Sequence, residues 1–169
     1  MKSTDRVLVS VPTKTLAEYP GYDPFKFSPS GWCTFLADTS KEEWRTLPEW
    51  ESNPVRREEI KDKIAARQFR DKEGGQTRNE HLERIAHLVV YGWPCPITLC
   101  VVPPRRAREV GIEPRWGMSD GFHRLAAAMY RQDEFIRCFL NGFYRYQLHE
   151  EDVAYIERAL GCRIPPVEE

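Results

Sequence analysis

With 169 residues, 41% of them hydrophobic and 30% charged, the chain can bury a real core and is too apolar to stay disordered. No apolar run approaches the roughly 18 residues that a membrane-crossing helix needs, which predicts no membrane insertion. The N-terminal MKSTDRVLVSVPTKT lacks the apolar stretch and cleavage site of a secretory signal, and the five cysteines (Cys33, Cys95, Cys100, Cys138, Cys162) form no CxxC pair, so a reduced, cytoplasmic protein is expected.

The net charge of −1 hides an uneven distribution. Residues 101–145 hold eight Arg against five acids, whereas residues 146–169 hold two Arg against six acids. A basic middle and an acidic end suit a polyanion bound at the centre, and they equally suit an ordinary solvated surface.

In chain order, Arg6 to Val11 alternates apolar and polar residues and reads as a strand stopped by Pro12. Residues 18–50 are broken by prolines and rich in aromatics. Trp32 to Asp38 reads as a strand there, and Ser40 to Trp44 opens like a capped short helix. These aromatics are not interleaved with basic residues, so they read as a lid on a core rather than a platform for stacked bases. Pro54 to Arg70 reads as a charged helix with Val55, Ile60, Ile64 and Phe69 as its apolar stripe, supported by Glu59 with Lys63 and ended at Glu73-Gly74-Gly75. A second helix runs from about Asn79 to Tyr91, with Leu82, Ile85, Ala86, Leu88 and Val89 inward and Gly92 as its stop.

Pro96 to Val102 has the length and composition of a strand, broken by Pro103-Pro104. Arg105 to Arg115 reads as a basic loop, followed by a short strand around Trp116 to Met118. An Ala-rich helix reaches to about Gln132, and Phe135 to Gly142 is a further strand. His149 to Gly161 closes as an amphipathic helix with acids in its first turn. The order predicts a single mixed α+β domain over residues 1–169.

The stretch WGMSDGFHRLAAAMYRQ, Trp116 to Gln132, carries the clearest chemistry. Its Asp-Gly pair opens directly onto a helix, whose first N–H groups have no intrahelical partners and lie at the positive end of the dipole. Such a helix start is an anion site: Gly121 allows close approach to the backbone, and Arg124 can fork onto a phosphate. His123, with an ordinary pKa near neutrality, suits a phosphate donor or general acid; its bland reading is a partly buried His satisfied by backbone. Asp120 reads either as the helix N-cap or as a Mg²⁺ ligand beside bound phosphates. Arg105, Arg106, Arg108 and Arg115 read as contacts for DNA phosphates or an acidic partner, or as an ordinary exposed loop. His81 and His87 stand six apart on their helix, which suggests no metal site.

The segments GWPCPITLCVV and SDGFHRLAAA, in this order of elements, resemble the N-terminal domain of the ParB/sulfiredoxin superfamily. The resemblance covers about residues 75–142. Residues 12–74 have no counterpart, and the helix at 149–161 lies beyond it. It implies a mixed sheet with flanking helices and a Gly-x-x-Arg turn that holds nucleotide phosphates, ATP or CTP, with Mg²⁺ as a candidate companion. Carried over residue by residue, Gly121, His123 and Arg124 would meet the phosphates. The Gln76-Thr77-Arg78 run would add Arg78, with Glu80 nearby as a base or metal ligand.

Two departures narrow this. Phe122 stands immediately before the His, where sulfiredoxin has its catalytic cysteine, so a sulfinic acid reductase is not expected. Too little chain follows Gly142 for a helix-turn-helix module, so a partition clamp is not expected either. What remains resembles stand-alone, plasmid- or phage-encoded domains. One expectation is an ATP or CTP hydrolase with DNase activity, using Asp120, His123 and Glu80 for catalysis. The other is a non-catalytic module that binds a protein partner, such as an inhibitor of conjugative DNA transfer.

Overall fold

The computed structural model describes residues 6–18, 55–73, 77–144 and 147–166. The strand read at Trp32–Asp38, the helix at Ser40–Trp44, and Gly74, Gly75 and Gln76 lie outside the described residues. The protein is α+β with a four-stranded mixed sheet. The described residues fall into two compact units, each assembled from separate stretches of chain: 6–18, 95–121, 134–144 and 147–166 in the first, and 55–73, 77–94 and 122–133 in the second.

The first unit holds the sheet. Its strands are β1 (Arg6–Pro12), β2 (Ile97–Val102), β3 (Arg115–Asp120) and β4 (Phe135–Tyr144), in the order β1-β4-β2-β3. β4 runs antiparallel to β1 and parallel to β2, and β2 runs antiparallel to β3. Strand side chains alternate between faces, and the register lines the buried set up across the sheet. Val9 stands opposite Cys138, which stands opposite Ile97; Leu140 stands opposite Leu99, and Leu99 opposite Met118. All of these are buried.

Three helices belong to this unit: α1 (Thr13–Ala17), α4 (Pro104–Val110) and α6 (Glu150–Leu160). The helix α6 buries Asp152, Ile156 and Leu160, a stripe at four-residue spacing, and stops where Gly161 takes a left-handed conformation (φ 63°). Asp152 is only 2% exposed, and both carboxylate oxygens are used. One accepts the His149 N–H at the start of α6 (3.2 Å), and the other accepts the Arg105 N–H in the first turn of α4 (3.2 Å). A single carboxylate thus satisfies orphan donors of two helix starts.

The segment read as a basic loop is mostly this helix α4, a correction with a simple cause. Pro104 occupies the first helical turn, where its fixed φ favours a helix and its missing N–H costs nothing, and Gly111 (φ 70°) ends the helix.

The second unit packs α2 (Arg57–Ala65), α3 (Arg78–Tyr91) and α5 (Phe122–Arg131) around Val55, Ile60, Leu82, Ile85, Leu88 and Ala127. Ile64, Phe69 and Val89 pack at its margin. The helix α2 is shorter than the charge pattern suggests. It ends at Ala65 because Arg67 turns left-handed (φ 53°), which lets the Gln68 N–H return to the Lys63 carbonyl (3.0 Å). The expected Glu59–Lys63 pair is also corrected. Lys63 turns to Gln68 (2.8 Å) and Glu83 (3.5 Å), while Glu59 binds Arg78. At the far end of α5, the Arg57 guanidinium donates to the Met129 and Tyr130 carbonyls (3.1 Å each), placing a cation on a helix C-terminus.

Candidate phosphate-binding site

The helix α3 starts with a reciprocal cap. The Glu80 N–H donates to the Thr77 hydroxyl (3.2 Å), and the Thr77 N–H donates to Glu80 Oε2 (3.0 Å). Glu80 Oε1 meets Arg70 Nη1 at 3.3 Å. Glu80, expected as a base or metal ligand, therefore holds the helix start and an arginine. Arg78, in the first turn, is gripped by Glu59 in a two-pronged ion pair of 2.6 and 2.7 Å.

One residue after Glu80 comes His81, 5% exposed. Its Nδ1 lies 2.9 Å from His123 Nε2, with the rings within 25° of parallel. His123 belongs to the first turn of α5, so this contact sets the N-terminal turns of α3 and α5 against each other inside the second unit. One ring donates and the other accepts, so the line between them carries a single proton. The His81 pKa is lowered, first by burial and also by Arg70, against the opposing pull of Glu80. A neutral His81 beside His123 follows at neutral pH.

Arg124 is 6% exposed, buried in the first turn of α5. Arg84, one turn beyond His81, is also buried and donates to the Asp71 carbonyl (2.9 Å) and to Glu73 (2.5 Å). The beginning of α3 is therefore surrounded by Arg70, Arg78 and Arg84, each held by a named acceptor.

Gly121 precedes α5 as the last residue of the first unit's β3 segment, with φ 113°. A Cβ there would lie 2.7 Å from Ile97 Cγ1 and 3.2 Å from Ile97 Cα. Packing on β2 and a positive φ explain the glycine without a ligand. Asp120 ends β3, exposed, opposite Thr98. Among the described residues, no group of three or more His, Cys, Asp or Glu is arranged to hold a metal ion. Asp120 alone offers one exposed carboxylate, which fits Mg²⁺ only where nucleotide phosphates supply other ligands.

Half of the basic cluster is neutralised within the chain. Arg106 pairs with Glu109 (2.9 Å), and Arg108 forks onto Glu151 (2.5 and 3.0 Å), which raises the Arg108 pKa and lowers that of Glu151. Arg105 contributes its backbone N–H to Asp152, and Arg115 is exposed at the start of β3.

His81 is the residue that sequence reasoning missed. Its partner lies 42 positions away, so spacing along its own helix carries no trace of it. The Thr77–Glu80 cap, by contrast, was open to view as a Thr-x-x-Glu pattern before an apolar run.

Comparison with known proteins gives no matching family model, no similar curated protein and no similar solved structure.

Proposed function

We propose that the facing helix starts of α3 and α5 bind the phosphates of a nucleotide, ATP or CTP, and that the chain holds a domain of the ParB/sulfiredoxin kind. The observation that supports this reading is the 2.9 Å contact between His81 and His123. It brings together two helix N-termini, whose partial positive charges and orphan N–H groups both favour an anion. Arg78 and Arg124 stand in the same two first turns.

In this reading an arriving phosphate draws a proton onto His123, which then donates to a phosphate oxygen, while His81 accepts from its other side. Arg78 exchanges part of its pairing with Glu59 for the phosphate. Hydrolysis would rest on positioning and charge stabilisation. Calorimetric titration with ATP, CTP, GTP and their diphosphates tests the binding, and phosphate release or plasmid nicking with Mg²⁺ or Mn²⁺ tests the chemistry. Micromolar to millimolar binding that weakens at least tenfold in His123→Ala and Arg78→Ala is expected. Absence of binding by every nucleotide, or binding indifferent to both changes, would sink the proposal.

A second reading has its own support. Glu80 is committed to a cap and to Arg70, which suits a fold that has kept its scaffold and dropped its chemistry, as in a partner-binding inhibitor of DNA transfer. Nucleotide binding without turnover, under conditions where His123→Ala abolishes binding, favours this version. The self-neutralised Arg106 and Arg108 leave Arg105 and Arg115 for DNA, and a steep fall of DNA affinity with salt would support that role.

A further inference from the structure

The first unit carries a second feature, on the opposite edge of the sheet from β3. The strand β1 pairs with β4 on one side, and among the described residues nothing pairs with its other side. Which backbone groups face outward follows from the ladder. The Thr13 N–H bonds the Glu134 carbonyl (3.0 Å), continuing the register in which Pro12 stands opposite Phe135. In an antiparallel pair, hydrogen-bonded and non-hydrogen-bonded positions alternate. Val7, Val9 and Val11 therefore spend their N–H and C=O groups on β4, and Leu8, Ser10 and Pro12 turn theirs away. Proline has no N–H to offer at the last of these, as an edge position tolerates. Leu8 and Ser10 remain, two residues apart, each presenting one donor and one acceptor.

A cleft of about 910 Å³ lies along this edge, within the range of roughly 300–1,000 Å³ typical of binding pockets. One wall is Leu8 to Ser10 with Phe135 and Arg137, and the other is the α6 face of Ala154, Glu157, Arg158 and Gly161. Phe135 is 52% exposed, an uncovered aromatic ring at its margin. Arg137 stands directly across from Ser10 in the β1–β4 register. Arg137 and Arg158 make no hydrogen bond or ion pair among the described residues, and Arg163 reaches Glu157 only at 3.6 Å with its side chain 93% exposed. Glu157, the one acid in the lining, is turned to the Ile164 N–H (2.9 Å). The cleft thus joins a strand edge left unpaired among the described residues, the apolar side chains of Leu8 and Phe135, and three arginines against one occupied carboxylate.

We infer that this cleft takes an extended acidic peptide from a partner protein, which adds as a strand to β1 beside Leu8 and Ser10 and sets its carboxylates against Arg137, Arg158 and Arg163. Main-chain pairing supplies the register, as in other cases of strand addition, and the guanidinium groups supply the preference for acids. The open donor–acceptor pair favours a peptide over a compact anion or a nucleic acid, which has no matching main-chain pattern.

The probe is a fluorescein-labelled peptide of alternating valine and glutamate, titrated into the full chain by fluorescence anisotropy. Saturable binding is expected that weakens with salt, fails when lysine replaces glutamate, and fails when alternate peptide nitrogens are methylated. Arg137→Glu with Arg158→Glu should weaken it at least tenfold. Ser10→Pro, which removes an outward N–H and leaves the β4 ladder intact, should weaken it comparably, with circular dichroism confirming the fold. The double charge reversal lies on the surface and keeps the test valid should Ser10→Pro misfold. Equal binding of the lysine or methylated peptide, indifference to the charge reversal, no saturation by millimolar peptide, or displacement by oligothymidylate at lower concentration than by unlabelled acidic peptide would each overturn the inference.

Discussion

His81 Nδ1 and His123 Nε2 lie 2.9 Å apart although 42 residues separate them in sequence. A proton shared on that line leaves the pair neutral, and one further proton would create an imidazolium beside Arg70 in a partly enclosed place. The pair therefore prefers one protonation state in the folded chain. This has a consequence for stability.

The His81 pKa is lowered from 6.5, mainly by burial, and that of His87 is lowered as well, by burial and then by Arg84. The unfolded chain then binds more protons than the folded one as pH falls through the ordinary histidine range, so stability rises with pH there. The full contribution is present above about pH 6.5 and is lost as pH drops toward the lowered values. Urea midpoints measured between pH 5 and 8 should fall on the acid side. His81→Asn, which keeps a polar atom near the Nδ1 position, should flatten part of that slope; an unchanged slope would remove His81 as its source.

The Arg78–Glu59 fork gives opposite signs for stability and binding. Two charge-assisted bonds, roughly three-quarters shielded from water, should contribute about 1–2 kcal/mol, so Glu59→Gln lowers the urea-unfolding free energy by that order. The same change removes the carboxylate that competes with a phosphate for Arg78. Nucleotide affinity should rise in Glu59→Gln if the proposed site is correct, and a fall would argue that Glu59 only supports the helix start.

Asp152 caps two helices with one carboxylate. Asp152→Ala leaves two N–H donors without their acceptor and should cost about 2–4 kcal/mol, roughly twice the usual loss of a single cap. Asp152→Asn, which retains one oxygen, should recover about half. Thermal unfolding followed by far-ultraviolet circular dichroism separates the two.

Gly121→Ala places a Cβ against the Ile97 backbone at a φ that L-residues avoid. A loss of more than about 1 kcal/mol is expected. Ile97→Val in the same chain should restore little, because the closest backbone atom, Ile97 Cα, stays in place. Full recovery would mean that side-chain crowding alone requires the glycine.

The strands were legible because each has one buried face. The alternation in Arg6 to Val11 and the apolar run Ile97 to Val102 reappear as the paired rows around Cys138 and Leu140. The helix α3 was legible from its periodicity. What stayed hidden falls under two physical causes. Boundaries set by a single backbone conformation, such as the early end of α2 at Arg67, are invisible to charge pairing. Contacts between elements, such as Glu59 with Arg78 or His81 with His123, depend on packing that no local pattern encodes. Pro103-Pro104 taught a narrower lesson: a proline that breaks one element can begin the next. Arg124, the foremost sequence candidate, turns out to be buried in the first turn of α5, while the histidine beside it makes the contact that joins two helix starts.

The interleaving of the two units also bears on how the protein forms during synthesis. The strand β1 leaves the ribosome before α3 and α5, yet its neighbour β4 is made after both. The α2–α3 pair likewise waits for Phe122–Arg131 before its core is complete. Neither unit can be finished early while the chain is growing: the second closes with residues 122–133, and the first waits for β4 and then α6. Such distant closures slow folding and leave apolar strand surface uncovered in the meantime. A nascent chain halted before residue 122 should engage chaperones and protease, whereas one extended past residue 166 should become resistant in a single step.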